Sequence, residues 1–422
     1  MYISFPYEDF EDLDIPGDFH AQEFDLPENG TALSSSEIVR RALDQPIGCQ
    51  RLCELADGKK RILIVTDDIH RPTPVSEFIG VVLEELVEAG IKEENVEFMM
   101  ALGAHRPMTK NEMAQKLGDD IVERFNVHNH QWDNTDWLEF IGDTAQGVPV
   151  WINKKVKEAD LVIGIGAIMP IEVCGFTGGG KILVPGVCGE ITNSEMHWTR
   201  VEAAGHDILG QAENPIRASI DELARKAGLD FIVNVIMNAE QDVVTAVAGD
   251  MVAAHRAGCK RAIDVYAVEF EKEYDIVIAD GYPFDIEFWQ VNKALDTAGI
   301  VVKKGGIVII VSPCYEGFSQ THGEMLEFGY LPVETIKHLV NSRQISHKVV
   351  GVHMIQVSTV AVEKAKVILV STGISKQDAE KAGLMWAQTP QQAFEKALTF
   401  NGENPSIAVL KNAARMLPIM NR

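Results

Sequence analysis

The chain has 422 residues, 46% of them hydrophobic, with 62 acidic against 38 basic side chains and a net charge of −24 at neutral pH. That length and apolar content suffice for two or three well-buried domains, and a surface this negative argues against nucleic acid or an anionic membrane as partner. The six cysteines (Cys49, Cys53, Cys174, Cys188, Cys259, Cys314) form no C-x-x-C pair, the acidic start MYISFPYEDFEDLDIP lacks a secretory profile, and no apolar run reaches the ~20 residues of a membrane span, so a reducing, cytoplasmic setting is expected.

In chain order, RILIVTDD (61–68) reads as a strand, EFIGVVLEELVEAG (77–90) as a helix and VEFMMALGAH (96–105) as a strand; a helix opens at Thr109, and DLVIGIGAI (160–168) is again a strand. This alternation predicts βαβ units and a mainly parallel sheet, with ligands collecting beyond the strand ends where Asp68, His105 and Pro170 fall. Thr109 with Glu112, and Thr192 with Glu195, have the spacing of capping boxes. The helical pattern 251–274 leads into a strand, YDIVIADG (274–281), and a second α/β domain: helix FWQVNKALDTAG, strand GIVIIVSP (306–313), helix VETIKHLVNSR, strands HKVVGV and AKVILVS, and helix QQAFEKALTF. The expected division is a cofactor-binding catalytic domain over 1–265, a second α/β domain over 275–403, and a closing segment, 404–422, that could pack back on the N-terminal domain. No repeat or low-complexity tract interrupts the chain.

Gly175-Phe176-Thr177-Gly178-Gly179-Gly180-Lys181-Ile182 imitates a phosphate-binding P-loop but carries Ile182 where that loop needs Ser or Thr for Mg²⁺. What remains is a Gly-rich turn able to meet an anion at a helix start, with one lysine aimed at the same place, which suits a nucleotide-like cofactor better than a hydrolysed triphosphate. Ile276 to Asp280 imitates a Walker B strand and keeps an ATPase reading open.

Asp68 and Arg71 leave a strand end together, either as a structural ion pair or to recognise a carboxylate or phosphate. His105 leaves the next strand and could take a proton as a neutral imidazole, though a lone histidine is more often structural. His197 could ligate a metal through a neutral nitrogen; His128 and His130 would share one strand face, as a zinc pair or as plain strand-end polarity. Gln290 and Lys293, one helical turn apart, could clamp a small carboxylate or simply face solvent.

Taken together, D-x-x-R-P (Asp68 to Pro72), G-A-H-R (Gly103 to Arg106), G-F-T-G-G-G-K-x-x-x-P-G (Gly175 to Gly186), His197 and the Q-x-x-K of Gln290 and Lys293 resemble the nickel-dependent lactate racemase family over essentially the whole chain. The resemblance implies two α/β domains with mainly parallel sheets and an interdomain active site holding a nickel-pincer nucleotide, which cofactor-synthesis proteins would supply. It implies Lys181 as the covalent tether, His197 as nickel ligand, and Asp68, Gly178, Gly179 and Gly180 along the cofactor. Arg71, Gln290 and Lys293 would hold the carboxylate of a 2-hydroxy acid, and His105 would accept its hydroxyl proton during hydride transfer. The family places a second histidine after the proline in P-H-x-x-[AG]-G, where this chain has Ile171. Expected in consequence are a racemase or epimerase acting on a 2-hydroxy acid other than lactate, and His353 as the replacement base, with Asp68 or His70 as alternatives. A non-catalytic binder of cofactor or organic acid is the competing reading.

Overall fold

The computed structural model describes residues 1–202, 208–402 and 404–421. The chain forms two compact units, one of Glu28–Val265 and one of Met1–Pro27 with Tyr266–Arg422.

In the Glu28–Val265 unit a six-stranded sheet runs in the order Val243–Gly249, Phe231–Met237, Leu161–Ala167, Ile62–Asp67, Val96–Ala101, Asn126–Asn129, parallel except for the first strand. Its central strands are buried on both faces, hence the near-continuous apolar runs ILIVT and LVIGIGA. From Ile62–Asp67 the chain moves outward through two strands and then returns to lay Leu161–Ala167 on the opposite side. That reversal opens a crevice at the carboxyl ends of the two central strands.

The other unit has six parallel strands in the order Met385–Ala387, Lys366–Val370, Val302–Val311, Tyr274–Asp280, Ile407–Leu410, Ala21–Phe24. Two features differ from the sequence expectation. Residues 1–27, assigned to the N-terminal domain, complete this second sheet through Ala21–Phe24 and drive Leu13 and Ile15 fully into its core against Phe394. The closing segment stays with the second unit: Ile407–Leu410 pairs with Tyr274–Asp280, and Leu417–Met420 pairs with Ala267–Phe270. Ala21–Phe24 satisfies its backbone on the open edge of Ile407–Leu410, and Leu417–Met420 does so in a separate two-stranded ladder with Ala267–Phe270.

Three elements also shift. HKVVGV, expected as a strand, begins a helix, Lys348–Ala361, buried along nearly its whole surface between helices Phe288–Val301 and Val333–Asn341; a short apolar run carries no periodicity to separate the two forms. The pattern 251–274 is helical only over Ala253–Tyr266. The helix expected to start at Thr192 runs over Glu190–Glu202, and the Thr192 hydroxyl instead bridges to a neighbouring strand, donating to the Pro149 carbonyl (2.9 Å) and accepting from the Trp151 N–H (2.8 Å). Thr109 does cap its helix as a full capping box with Glu112.

Candidate active site

At the crevice of the Glu28–Val265 unit, Asp67 and Asp68 divide the work of the strand end. Asp67 anchors the backbone: it pairs with buried Lys116 at 2.7 Å and accepts from the Thr73 hydroxyl at 2.6 Å, while Lys116 also donates to the Arg71 carbonyl at 2.8 Å. Burial raises the Asp67 carboxyl and Lys116 opposes the rise. The loop from 68 to 71 is closed by the Arg71 N–H on the Asp68 carbonyl (3.1 Å). Asp68, 1% exposed, is thereby left to face the crevice.

One Asp68 oxygen, Oδ2, accepts from His105 Nδ1 at 2.6 Å and from His70 Nδ1 at 2.9 Å, with the two imidazole rings 4.5 Å apart. Burial works to raise the Asp68 carboxyl, yet His105 and His70 together hold it well below the carboxylate range. His105 is pushed down by burial against the pull of Asp68. The pair therefore rests as carboxylate and neutral imidazole. Because an ionised carboxylate only accepts, both histidines carry their proton on Nδ1, and the basic nitrogen of His105 is Nε2.

Lys181 and His197 meet here as well. Burial brings the Lys181 amine down to about 8, with Arg71 and Arg217 adding to the effect and Cys174 and Asp68 opposing it. Burial, then Lys181, brings the His197 imidazole down to about 4, with Arg71 contributing. Lys181 thus lies within the field of Arg71 and Asp68, and His197 within that of Lys181 and Arg71. His197 Nδ1 donates to the Asn193 carbonyl one turn back (2.8 Å), so Nε2 holds the lone pair; it has no hydrogen bond among the described residues. A backbone-fixed tautomer of this kind is what a metal-ligating histidine uses.

The turn that carries Lys181 owes its glycines to packing. A Cβ on Gly178 would lie 2.8 Å from Asn234 Oδ1 and Ile168 Cγ1, one on Gly179 2.8 Å from the His255 ring, and one on Gly180 2.8 Å from Ala224 Cβ. Gly178 and Gly179 also have φ of 77° and 58°. The Gly179 N–H is engaged by Asn234 Oδ1 at 2.8 Å. Fully buried Arg217 donates to the carbonyls of Gly178 (3.1 Å) and Phe176, and His255 Nε2 to that of Thr177 (2.9 Å). Gly179–Ile182 is a single 3₁₀ turn, not the helix start expected from the motif, so the P-loop geometry is missing. Asn234, Arg217 and His255 escaped the sequence reading. Of the three, Asn234, alone and polar in FIVNVIM, gave a signal.

In the other unit, Gln290 and Lys293 lie on the helix Phe288–Val301, and the Lys293 ammonium donates to Gln290 Oε1. Gln290 is 2% exposed and the ammonium sits 4.7 Å over the Phe284 ring, so this is no solvated face. His353, on the helix Lys348–Ala361, stacks on Trp289 (4.4 Å, 12°) with Nε2 3.3 Å from the Tyr330 hydroxyl. Burial, then His322 and Lys293, brings its imidazole to about 3.

The remaining candidates have structural partners. Ile171 is half-buried and opposes Gly175 in a two-residue hairpin, and Glu172 beside it pairs with Arg200 at 3.3 Å. His130 is buried between the Cys188 carbonyl (2.8 Å) and the Asn153 amide (3.1 Å), while His128 meets Glu97 at 3.4 Å, so the two do not share a zinc set. Asp280 accepts backbone N–H groups of Tyr282 and Asn412 at 3.1 and 3.3 Å, a role unlike that of a Walker B carboxylate. Among the described residues no helix is long and apolar enough to cross a membrane.

Comparison with known proteins identifies the family. Residues 8–206 match the lactate racemase N-terminal domain and residues 270–417 the lactate racemase C-terminal domain. A lactate racemase of Thermoanaerobacterium thermosaccharolyticum is 36% identical over 288 residues, 68% of this chain and 67% of the relative; one of Lactiplantibacillus plantarum is 30% identical over 386 residues, 90% and 89%. The apoprotein structure of the Thermoanaerobacterium lactate racemase superposes with a TM-score of 0.87 at 29% identity, covering 99% of this chain and all of that one. A Thermotoga maritima protein shares the fold with a TM-score of 0.76 at 22% identity, covering 94% of this chain and 100% of that one. The chain therefore belongs to the lactate racemase family, and its relatives support a racemase, an isomerase, built on two α/β domains with mainly parallel sheets.

Proposed function

We propose that the protein racemises or epimerises a 2-hydroxy acid other than lactate by reversible hydride transfer, using a nickel-pincer nucleotide tethered at Lys181. The observation that carries the reading is the convergence of the depressed Lys181 amine, the bare Nε2 of His197 and the Asp68–His105 pair at one sheet crevice. The donor set fits the cofactor: an amine near neutrality can be acylated, and a neutral imidazole with its other nitrogen fixed can ligate nickel. When bound, such a cofactor accepts a hydride from the substrate carbon and returns it.

In this reading the chain's own groups do the rest. Arg71, Gln290 and Lys293 hold the substrate carboxylate, His105 Nε2 takes the hydroxyl proton, and Asp68 keeps His105 in the required tautomer and stabilises its cation. Gly178, Gly179 and Gly180 border the cofactor with Asp68 and set the direction of Lys181. His353 serves the opposite face in place of the histidine that Ile171 displaces. An apolar Ile171 in place of the histidine favours a different or larger substrate. Ile171 also supports a second reading, a binder of cofactor or organic acid without turnover.

The test is a panel of single-enantiomer 2-hydroxy acids in D₂O, with protein produced alongside cofactor-synthesis enzymes. Hydride transfer predicts inversion with no deuterium at C2, and a mass increment on the peptide carrying Lys181. Deuterium at C2 would indicate proton abstraction and overturn the mechanism. A loaded Lys181 with no acid inverted would leave the binder.

A further inference from the structure

His70, an alternative base by sequence, holds a separate place in the structure. It is buried, with its side chain 1% exposed, and its Nδ1 reaches the same Asp68 oxygen that His105 uses. Two donors on one oxygen compete for the same charge. A carboxylate that already accepts a hydrogen bond from one imidazole has less charge with which to stabilise the protonated form of another.

We propose that His70 is a positioning residue for the His105 base: its Nδ1–H fixes the Asp68 carboxylate and limits how strongly that carboxylate stabilises the His105 imidazolium. This rests on the reading of His105 as the proton acceptor. Among the charges that bear on His105 are those of Asp68, His70 and Arg71, all on loops at the same sheet edge. Arg71 opposes protonation, Asp68 favours it, and His70 sets the share of Asp68 that His105 receives. The consequence is a base that gives up its proton readily, as a reaction that must run in both directions requires.

The experiment uses cofactor-free protein with ¹⁵N-labelled histidine, so that its readout is independent of turnover. His70→Ala removes the donor, and His105 should then titrate higher by about one unit or less. His70→Asn places an amide near the lost Nδ1 and should restore the parent titration, which a merely structural role would not do. In the parent protein, the His70 ring nitrogens should respond at the His105 midpoint, a measurement that needs no variant to fold. An unchanged His105 titration in folded His70→Ala, or His70 resonances indifferent to His105, would overturn the proposal. The hydroxy-acid panel separates the two ideas. A linked titration in a protein that inverts no acid keeps the His70 role and removes the function, whereas an active racemase with independent titrations does the reverse.

Discussion

Ile182 fills the hollow left by Gly164: a Cβ on that strand glycine would come 2.6 Å from Ile182 Cγ2 and 3.2 Å from Leu229 Cδ1. The residue that breaks the P-loop motif is therefore a core residue that seats the Lys181 turn on the sheet. Ile182→Thr completes the motif on paper but leaves a 3₁₀ turn whose Gly179 N–H is held by Asn234. Calorimetry with Mg-ATP should show no binding for this variant. Gly164→Val forces Ile182 outward and should cost about 1–3 kcal/mol in denaturant unfolding.

Lys181 offers a direct pH test. An amine reacts only when unprotonated, so in cofactor-free protein its acylation by a limiting reagent should rise through a midpoint near 8, well below its ordinary value of 10.5. Peptide mass spectrometry would report the profile. A midpoint near that of surface lysines would remove the case for a ready tether. Lys181→Ala should abolish the covalent mass increment altogether.

The strands around the crevice and their mainly parallel pairing were legible because parallel strands buried on both faces write themselves as apolar runs such as ILIVT and LVIGIGA. Asp68 and His105 were legible as motif residues at strand ends, Lys181 as one following a Gly-rich turn, and His197 as one on a helix. The reasons behind them were not. The triple glycine suggests an anion cradle, but its demand comes from His255, Asn234 and Ala224, which lie far along the chain and only meet the turn in three dimensions. Likewise, nothing in DDIHRP reveals that two histidines share one Asp68 oxygen. The helix at Lys348–Ala361 was misread because its valines favour strand locally while packing between two helices decides the form.

Ile171 and His353 make a paired prediction about the second face of the substrate. Ile171→His supplies the histidine that the P-H-x-x-[AG]-G pattern carries and should raise inversion of small acids such as lactate relative to bulkier ones, read as a ratio of kcat/KM. His353→Ala should lower inversion of the preferred acid by about 10²-fold or more, the usual contribution of a proton-transferring group. Unchanged turnover in His353→Ala would remove it from the chemistry and leave its Trp289 stack as packing.

Acid sensitivity follows from the buried histidines, of which His130 is the simplest case. It is 0% exposed, and burial brings its imidazole from 6.5 to about 4 despite the hydrogen bond to the Cys188 carbonyl. A depressed value means that the folded state prefers the neutral ring. Above 6.5 neither state binds the proton and the stabilisation is complete; between 6.5 and about 4 the unfolded chain binds it and the native state does not, so stability falls as the pH falls. His130→Gln keeps an amide donor for the Cys188 carbonyl but cannot be protonated. From about pH 6.5 to about pH 5 the parent should lose about 2 kcal/mol more than this variant, at about 1.4 kcal/mol per unit of pH. His197 and His353 are depressed in the same direction, so the variant keeps a shallower slope of its own. Urea unfolding at the two pH values measures the difference, and parallel losses in both proteins would show that His130 takes up its proton equally in the folded and unfolded states.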